Sequence, residues 1–106
     1  MAKYMFHAAL SLEGLKGTVK EGGTARRKNL EKVLDSVGGS LEAFYYAFGE
    51  DDLIIIADLP DNVAAAALAT TVTTSGVGGV KTTVLLTPEE VDEASKRQVK
   101  YTPPKG

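Results

Sequence analysis

An α+β domain, with helices layered against one antiparallel four-stranded sheet, is the fold class this sequence predicts, and three observations carry it. Two apolar stretches, residues 41–48 and 53–59, are separated only by Gly49-Glu50-Asp51-Asp52, so they pair as a tight antiparallel hairpin. The second stretch stops at Leu59-Pro60-Asp61, where Asp61 is placed to cap a helix. Helical periodicity on either side of the hairpin then alternates with further apolar strands.

The elements follow in order. Residues 3–10 read as a strand from their aromatic and apolar content. Ser11-Leu12-Glu13-Gly14 opens a stretch punctuated by Gly17, Gly22 and Gly23, read as a short helical turn and a loop. Leu30, Val33, Leu34 and Val37 recur at helical spacing, with Thr24 as the expected cap and Gly38-Gly39 as the stop. After the hairpin, Asp61 opens an Ala-rich helix from residue 63 to about 71, diluted by threonines and ended by Gly76, Gly78 and Gly79. Residues 80–86 form a fourth strand. Thr87-Pro88-Glu89-Glu90 then combines a cap, a first-turn proline and first-turn acids ahead of a last helix reaching residues 96–99. Residues 1–100 make one domain, and residues 101–106 an extended Pro-containing tail.

Strand, helix, strand, strand, helix, strand is the ferredoxin-like split βαβ order, here with an added C-terminal helix. The hairpin joins antiparallel neighbours, and the helical segments are long enough to cross between parallel strands. Strict alternation over residues 41–48 puts Leu41, Ala43, Tyr45 and Ala47 on one face and Glu42, Phe44, Tyr46 and Phe48 on the other. Both faces are largely apolar, and so are those of residues 53–59. A sheet with helices on one side should be wet on the other. The expectation is therefore that a second subunit covers the far face, giving a homodimer or higher homo-oligomer. The alternative is that the C-terminal helix covers it within one chain.

Composition excludes several classes. The 106 residues are 43% hydrophobic and 25% charged, with a net charge of −2 and the basic residues scattered among acidic ones. That leaves no electrostatic footprint for nucleic acid or an anionic membrane surface. There is no Cys and no Trp. Disulfides, thiolate catalysis and Cys-ligated metals are thereby removed. No apolar run approaches the ~20 residues of a membrane span, and the polar start does not read as a secretory leader, so a cytoplasmic location is expected.

Candidate chemistry rests on few side chains. Arg26 falls on the same helical stripe as Leu30, Val33 and Val37. One reading is a stem covering the core edge while the guanidinium reaches water; the other is an anion or carboxylate site at the mouth between helix and sheet. His7 is the sole imidazole, on the strand face of Met5 and Ala9, and is read either as half-buried and structural or as a general base. One His without Cys makes no tetrahedral metal site in a single chain, so no metal and no cofactor are expected. Glu50, Asp51 and Asp52 read as ordinary turn acids. Asp58 ends an apolar strand and is expected to pair with Arg26 or Lys81 or to cap the next turn. Tyr45 and Tyr46 place one phenol on each face, so at least one hydroxyl needs a buried partner. The glycines lack the Gly-Lys-Ser/Thr of a phosphate loop.

Taken together, Lys20-Glu21-Gly22-Gly23, Ala25-Arg26-Arg27, Gly38-Gly39, Phe44-Tyr45-Tyr46-Ala47-Phe48-Gly49, Asp58-Leu59-Pro60-Asp61, Lys81-Thr82-Thr83 and Leu86-Thr87-Pro88-Glu89-Glu90 resemble the GYD-domain family. The tyrosine of the family's name, expected just before Asp52, is replaced by Asp51, so a role for that phenol does not transfer. The resemblance implies a ferredoxin-like domain similar to the dimeric α/β barrels, which pair sheets face to face. The wider superfamily includes cofactor-independent monooxygenases, isomerases, haem-binding enzymes and ligand-sensing domains, and sharing that fold is analogy only.

Three functional readings follow. The first is a small homo-oligomeric module binding or sensing an anionic or aromatic metabolite in a pocket between sheet and helices, with Arg26, His7, Tyr46 and Lys81 as ligand-binding residues. The second is a cofactor-independent monooxygenase- or isomerase-like enzyme on an aromatic substrate, with His7 or Asp58 as base and Tyr46 orienting the substrate. The third is a structural subunit of a homo-oligomer.

Overall fold

A computed structural model describes residues 1–105. Strand β1 (Ala2–Leu10) is followed by helices α1 (Leu12–Glu21) and α2 (Gly23–Ser36), then by strands β2 (Ser40–Tyr46) and β3 (Leu53–Leu59). Helix α3 (Asn62–Thr74), strand β4 (Gly78–Leu85) and helix α4 (Pro88–Lys96) complete the chain. The four strands form one sheet in the order β2-β3-β1-β4, with every neighbouring pair antiparallel. β1 and β2 therefore run parallel with β3 between them, as do β3 and β4 with β1 between them. This α+β order is consistent with the ferredoxin-like arrangement expected from the element pattern.

The first crossover holds more helix than the glycines suggested. The segment after β1 is a full ten-residue helix, because Ser11 accepts a hydrogen bond from the Gly14 amide and starts it. Ser11 also ties that start to the segment ahead of β4: its amide donates to Val77 O at 2.9 Å and its hydroxyl to Gly76 O at 2.7 Å. Gly14 is buried in this contact, and a Cβ there would run into the Val77 carbonyl oxygen. Gly22, at φ 89°, ends α1 and is the residue before α2, so Thr24 lies inside α2 and does not cap it. α3 also runs further than its threonines predicted, to Thr74.

In β2 the expected alternation fails at one point. A bulge between Leu41 and Ala43 shifts the register, so Leu41 lies opposite Ala57 while Ala43 lies opposite Ile56 and Phe44 opposite Ile55. Leu41 thus joins Phe44 and Tyr46 on the helix-covered face instead of sharing a face with Tyr45. β2 also stops at Tyr46, leaving Ala47 and Phe48 in the connection to β3. That connection is tied to the sheet by Asp52, whose amide donates to Ala8 O at 3.0 Å and whose carboxylate accepts from the Leu10 amide at 2.8 Å.

The core forms where α2 and α3 cover one face of the sheet. It comprises Tyr4, Phe6, Ala57 and Leu59 from the strands, Leu34 from α2, and Ala65 and Leu68 from α3. Tyr4 is 1% exposed and its hydroxyl donates to Asn62 Oδ1 at 2.6 Å, which satisfies the buried phenol.

The opposite face is open. It carries Met5, His7, Ile54 and Ile56 on the central strands and Tyr45 on β2. α4 does not cover it. Residues 88–105 are all exposed, and α4 packs closely on none of the other elements. The alternative in which the last helix shields the far face within one chain is therefore not what the chain does.

Candidate functional site

Two groups of candidate residues lie on opposite sides of the sheet. On the helix-covered side, a cavity of ≈ 310 Å³ opens between the sheet and the helices. Phe6, Phe44, Leu53 and Ile55 form its floor. Leu30 and Val33 from α2 and Leu68 and Val72 from α3 form its walls. The helical stripe that buries Leu30 and Val33 also brings Arg26 and, three residues on, Asn29 to the lining. Thr18, Thr71 and Ser75 add hydroxyl-bearing residues.

Arg26 is the charged residue of this lining. Its side chain is 27% exposed, and its nearest carboxylate, Glu21, stands 3.8 Å away, a loose contact that leaves most of the guanidinium fork unengaged. Among the described residues, no His, Asp or Glu lines the cavity. Its walls can therefore shape an apolar body and pair one anionic group, and they hold no carboxylate or imidazole for proton transfer. Beside this chamber, Tyr46 lies edge-on to Phe44, with ring centroids 5.3 Å apart, and under the first turn of α2 at Gly23. The Tyr46 hydroxyl is buried and has no hydrogen-bond partner among the described residues.

The open face holds the second group. His7 Nδ1 stands 3.0 Å from Asp51 Oδ2, and Lys81 Nζ stands 3.9 Å from Asp51 Oδ1. The β1–β4 register places His7 directly opposite Lys81, and the β1–β3 register places it opposite Ile54. At the far end of the same face, Lys3 donates to Glu42 at 2.8 Å and to Asp58 at 3.1 Å. These hydrogen bonds, Glu42 first and Asp58 second, hold the Lys3 ammonium above the ordinary lysine range.

The structure thus separates what the sequence grouped. Arg26 and Tyr46 belong to the helix side, whereas His7, Lys81 and Asp58 belong to the open face. A single pocket containing both Arg26 and His7 does not form, because α2, which carries Arg26, covers the sheet face of Tyr4 and Phe6, and alternation along β1 puts His7 on the other face. For the same reason Tyr46 does not stand near either candidate base. Asp58 pairs with Lys3, not with Arg26 or Lys81. Asp51, expected to be a solvated turn acid, is the partner of both His7 and Lys81. Asn29 was overlooked although its spacing from Arg26 was a usable signal.

Among the described residues, no group of three or more His, Cys, Asp or Glu is arranged to hold a metal ion, and no helix is long and apolar enough to cross a membrane. Comparison with curated proteins and with solved structures finds no match. A family model described as the GYD domain matches residues 4–95, from β1 almost to the end of α4. With the motifs quoted above and the α+β architecture agreeing along that span, the chain belongs to the GYD-domain family.

Proposed function

We propose that this protein is a small binding module that receives a largely apolar metabolite carrying one anionic group, and that it works as a homo-oligomer paired through the open sheet face in the manner of the dimeric α/β barrels. The observation that carries the ligand reading is the ≈ 310 Å³ apolar cavity with Arg26 in its wall. That volume is at the lower end of small-molecule sites, where the ligand is held mainly by apolar contact and oriented by a few polar groups. An aromatic or short aliphatic carboxylate matches this chemistry, with Arg26 as the bidentate partner and Asn29 beside it. The fluorescent apolar anion 1-anilinonaphthalene-8-sulfonate is a suitable probe. Binding to the folded protein that weakens at least tenfold in Arg26→Met, with an unchanged melting curve, supports the reading. Equal binding by both proteins sinks it.

A second reading is an enzyme, and the His7–Asp51 pair favours it. A carboxylate that orients an imidazole through Nδ1 leaves Nε2 free to act as a base. Such a base would serve a substrate held on the open face and not one in the cavity. Turnover of a carried small molecule that is abolished in His7→Gln but retained in Arg26→Met would select this reading over the first.

A further inference from the structure

The cavity on the helix-covered side has the form of a trough that crosses the whole sheet. Its floor runs from Phe44 on β2 through Ile55 on β3 and Ala8 on β1 to Val80 on β4. Three spacings between neighbouring strands make that span about 14 Å. A volume of ≈ 310 Å³ spread over such a length has a mean cross-section of about 22 Å², which is the section of a single hydrocarbon chain. Ala8 is the small residue of a row in which Leu53 stands opposite it on one side and Val80 on the other, so the floor dips there. α2 and α3 roof the trough without packing closely on one another.

The two ends of the trough differ in charge. α2 lies over β2 and brings Arg26 and Asn29 to the lining. α3 lies over β4, has no charged residue from Asn62 to Thr74, and brings Leu68, Ala69 and Val72. Two of the hydroxyls in the lining are already committed to their own helices, since Thr18 donates to Gly14 O at 3.1 Å and Ser75 to Val72 O at 2.6 Å. Thr71, the third, stands exposed at the rim. The charge available to a ligand is thus that of Arg26, at one end only.

We propose that the ligand is a straight-chain monocarboxylate of about ten carbons, a medium-chain fatty acid, lying across the sheet with its carboxylate on Arg26 and its methyl end beneath α3 near Val80. This rests on the binding reading given above and names the class of ligand. The size agrees, because ≈ 310 Å³ is about ten times the liquid volume of a water molecule and a methylene group displaces about one water. The polarity agrees too. A second charged group at the α3 end would be buried without a counter-ion, which is strongly disfavoured. One fixed anion partner at the end of a uniform hydrocarbon trough discriminates by chain length, not by functional groups along the chain.

Calorimetric titration of the full-length protein, stripped of carried ligand, with hexanoate, octanoate, decanoate, dodecanoate and tetradecanoate tests this. Affinity is expected to rise about fourfold per methylene, the usual gain for burying one, and to level off near decanoate. Decanedioate and 1-decanol are expected to bind at least tenfold more weakly than decanoate. Arg26→Met should abolish the preference for decanoate over 1-decanol, and Ala8→Leu should bring the plateau about three carbons earlier, the size of the added group. Affinity independent of chain length, or decanedioate binding as tightly as decanoate, overturns the proposal. Affinity still climbing at tetradecanoate and unaltered in Ala8→Leu marks adsorption to an apolar surface and overturns it as well. If 1-anilinonaphthalene-8-sulfonate nevertheless binds in an Arg26-dependent way, only the fatty-acid assignment falls; if it does not, the binding reading falls with it.

Discussion

His7 Nδ1 and Asp51 Oδ2 meet at 3.0 Å across the open sheet face, joining β1 to the connection between β2 and β3. A carboxylate only accepts hydrogen bonds, so the neutral imidazole must carry its proton on Nδ1 and expose Nε2 as the acceptor. Nitrogen-detected NMR of the ring should show this tautomer in the wild type and a mixture in Asp51→Asn, whose amide can donate as well as accept. The side chains are 26% and 17% exposed, so the bond is half-buried and, as a hydrogen bond to a carboxylate, should add about 1.5–3 kcal/mol to stability. A wild-type ring that already samples both tautomers equally would show that Asp51 does not orient it.

Lys3 makes a pH prediction of definite sign. Its hydrogen bonds to Glu42 and Asp58 raise the folded-state pKa above the unfolded lysine value. The contribution is therefore complete below about pH 10.4 and is lost as pH rises through the raised folded value. Lys3→Met should melt below the wild type at pH 7 to 9, and the two curves should converge in strong alkali. Convergence on the acid side instead, as Glu42 and Asp58 protonate, reports those carboxylates and not the lysine. A gap that stays constant between pH 9 and 12 contradicts the assignment.

The element order was legible because local signals agreed with the global fold. Gly38-Gly39 ends α2, Asp61 caps α3 with its carboxylate on the Ala64 amide at 2.9 Å, and Thr87 caps α4 as its motif indicated. The failures share one cause, which is that they depend on long-range contacts. Gly14 looked like a helix breaker because its reason for being glycine is the Val77 carbonyl, which lies more than sixty residues along the chain. The β2 bulge leaves no local mark, so Leu41 was placed on the wrong face. Arg26 was found because helical periodicity exposes a misfit on an apolar stripe. Asp51 was missed because an acid in a turn looks the same whether it faces water or a histidine from β1.

Gly14 supplies a sharp stability test. Its position is held by the Ser11 cap and by the closeness of α1 to the segment ahead of β4. On helix propensity alone, Gly14→Ala would stabilise by about 1 kcal/mol. The added methyl meets backbone, which cannot rotate away, so the substitution should instead destabilise by about 1–3 kcal/mol in denaturant titration. Gly17→Ala is the control, since a Cβ there meets nothing within 4 Å and should follow propensity. Stabilisation of both variants would show that α1 does not approach Val77 closely.

Tyr46 joins the stability of the fold to the proposed ligand site. Its hydroxyl is buried without a partner, a state that costs about 1–3 kcal/mol and is seldom left in native proteins. The ring itself is well placed, edge-on to Phe44 of the cavity floor and beneath Gly23. Tyr46→Phe keeps this packing and deletes only the orphaned polar atom, so the ligand-free variant should be at least as stable as the wild type, by up to about 1–2 kcal/mol. If the ligand reaches past Phe44 to this hydroxyl, the ordering reverses when the metabolite carried from cells is bound, because only the wild type gains the hydrogen bond. Native mass spectrometry of both proteins as purified, with melting curves before and after ligand removal, separates the cases. Loss of stability in the ligand-free Tyr46→Phe protein would mean that the hydroxyl has a partner within the fold and is not held open for a ligand.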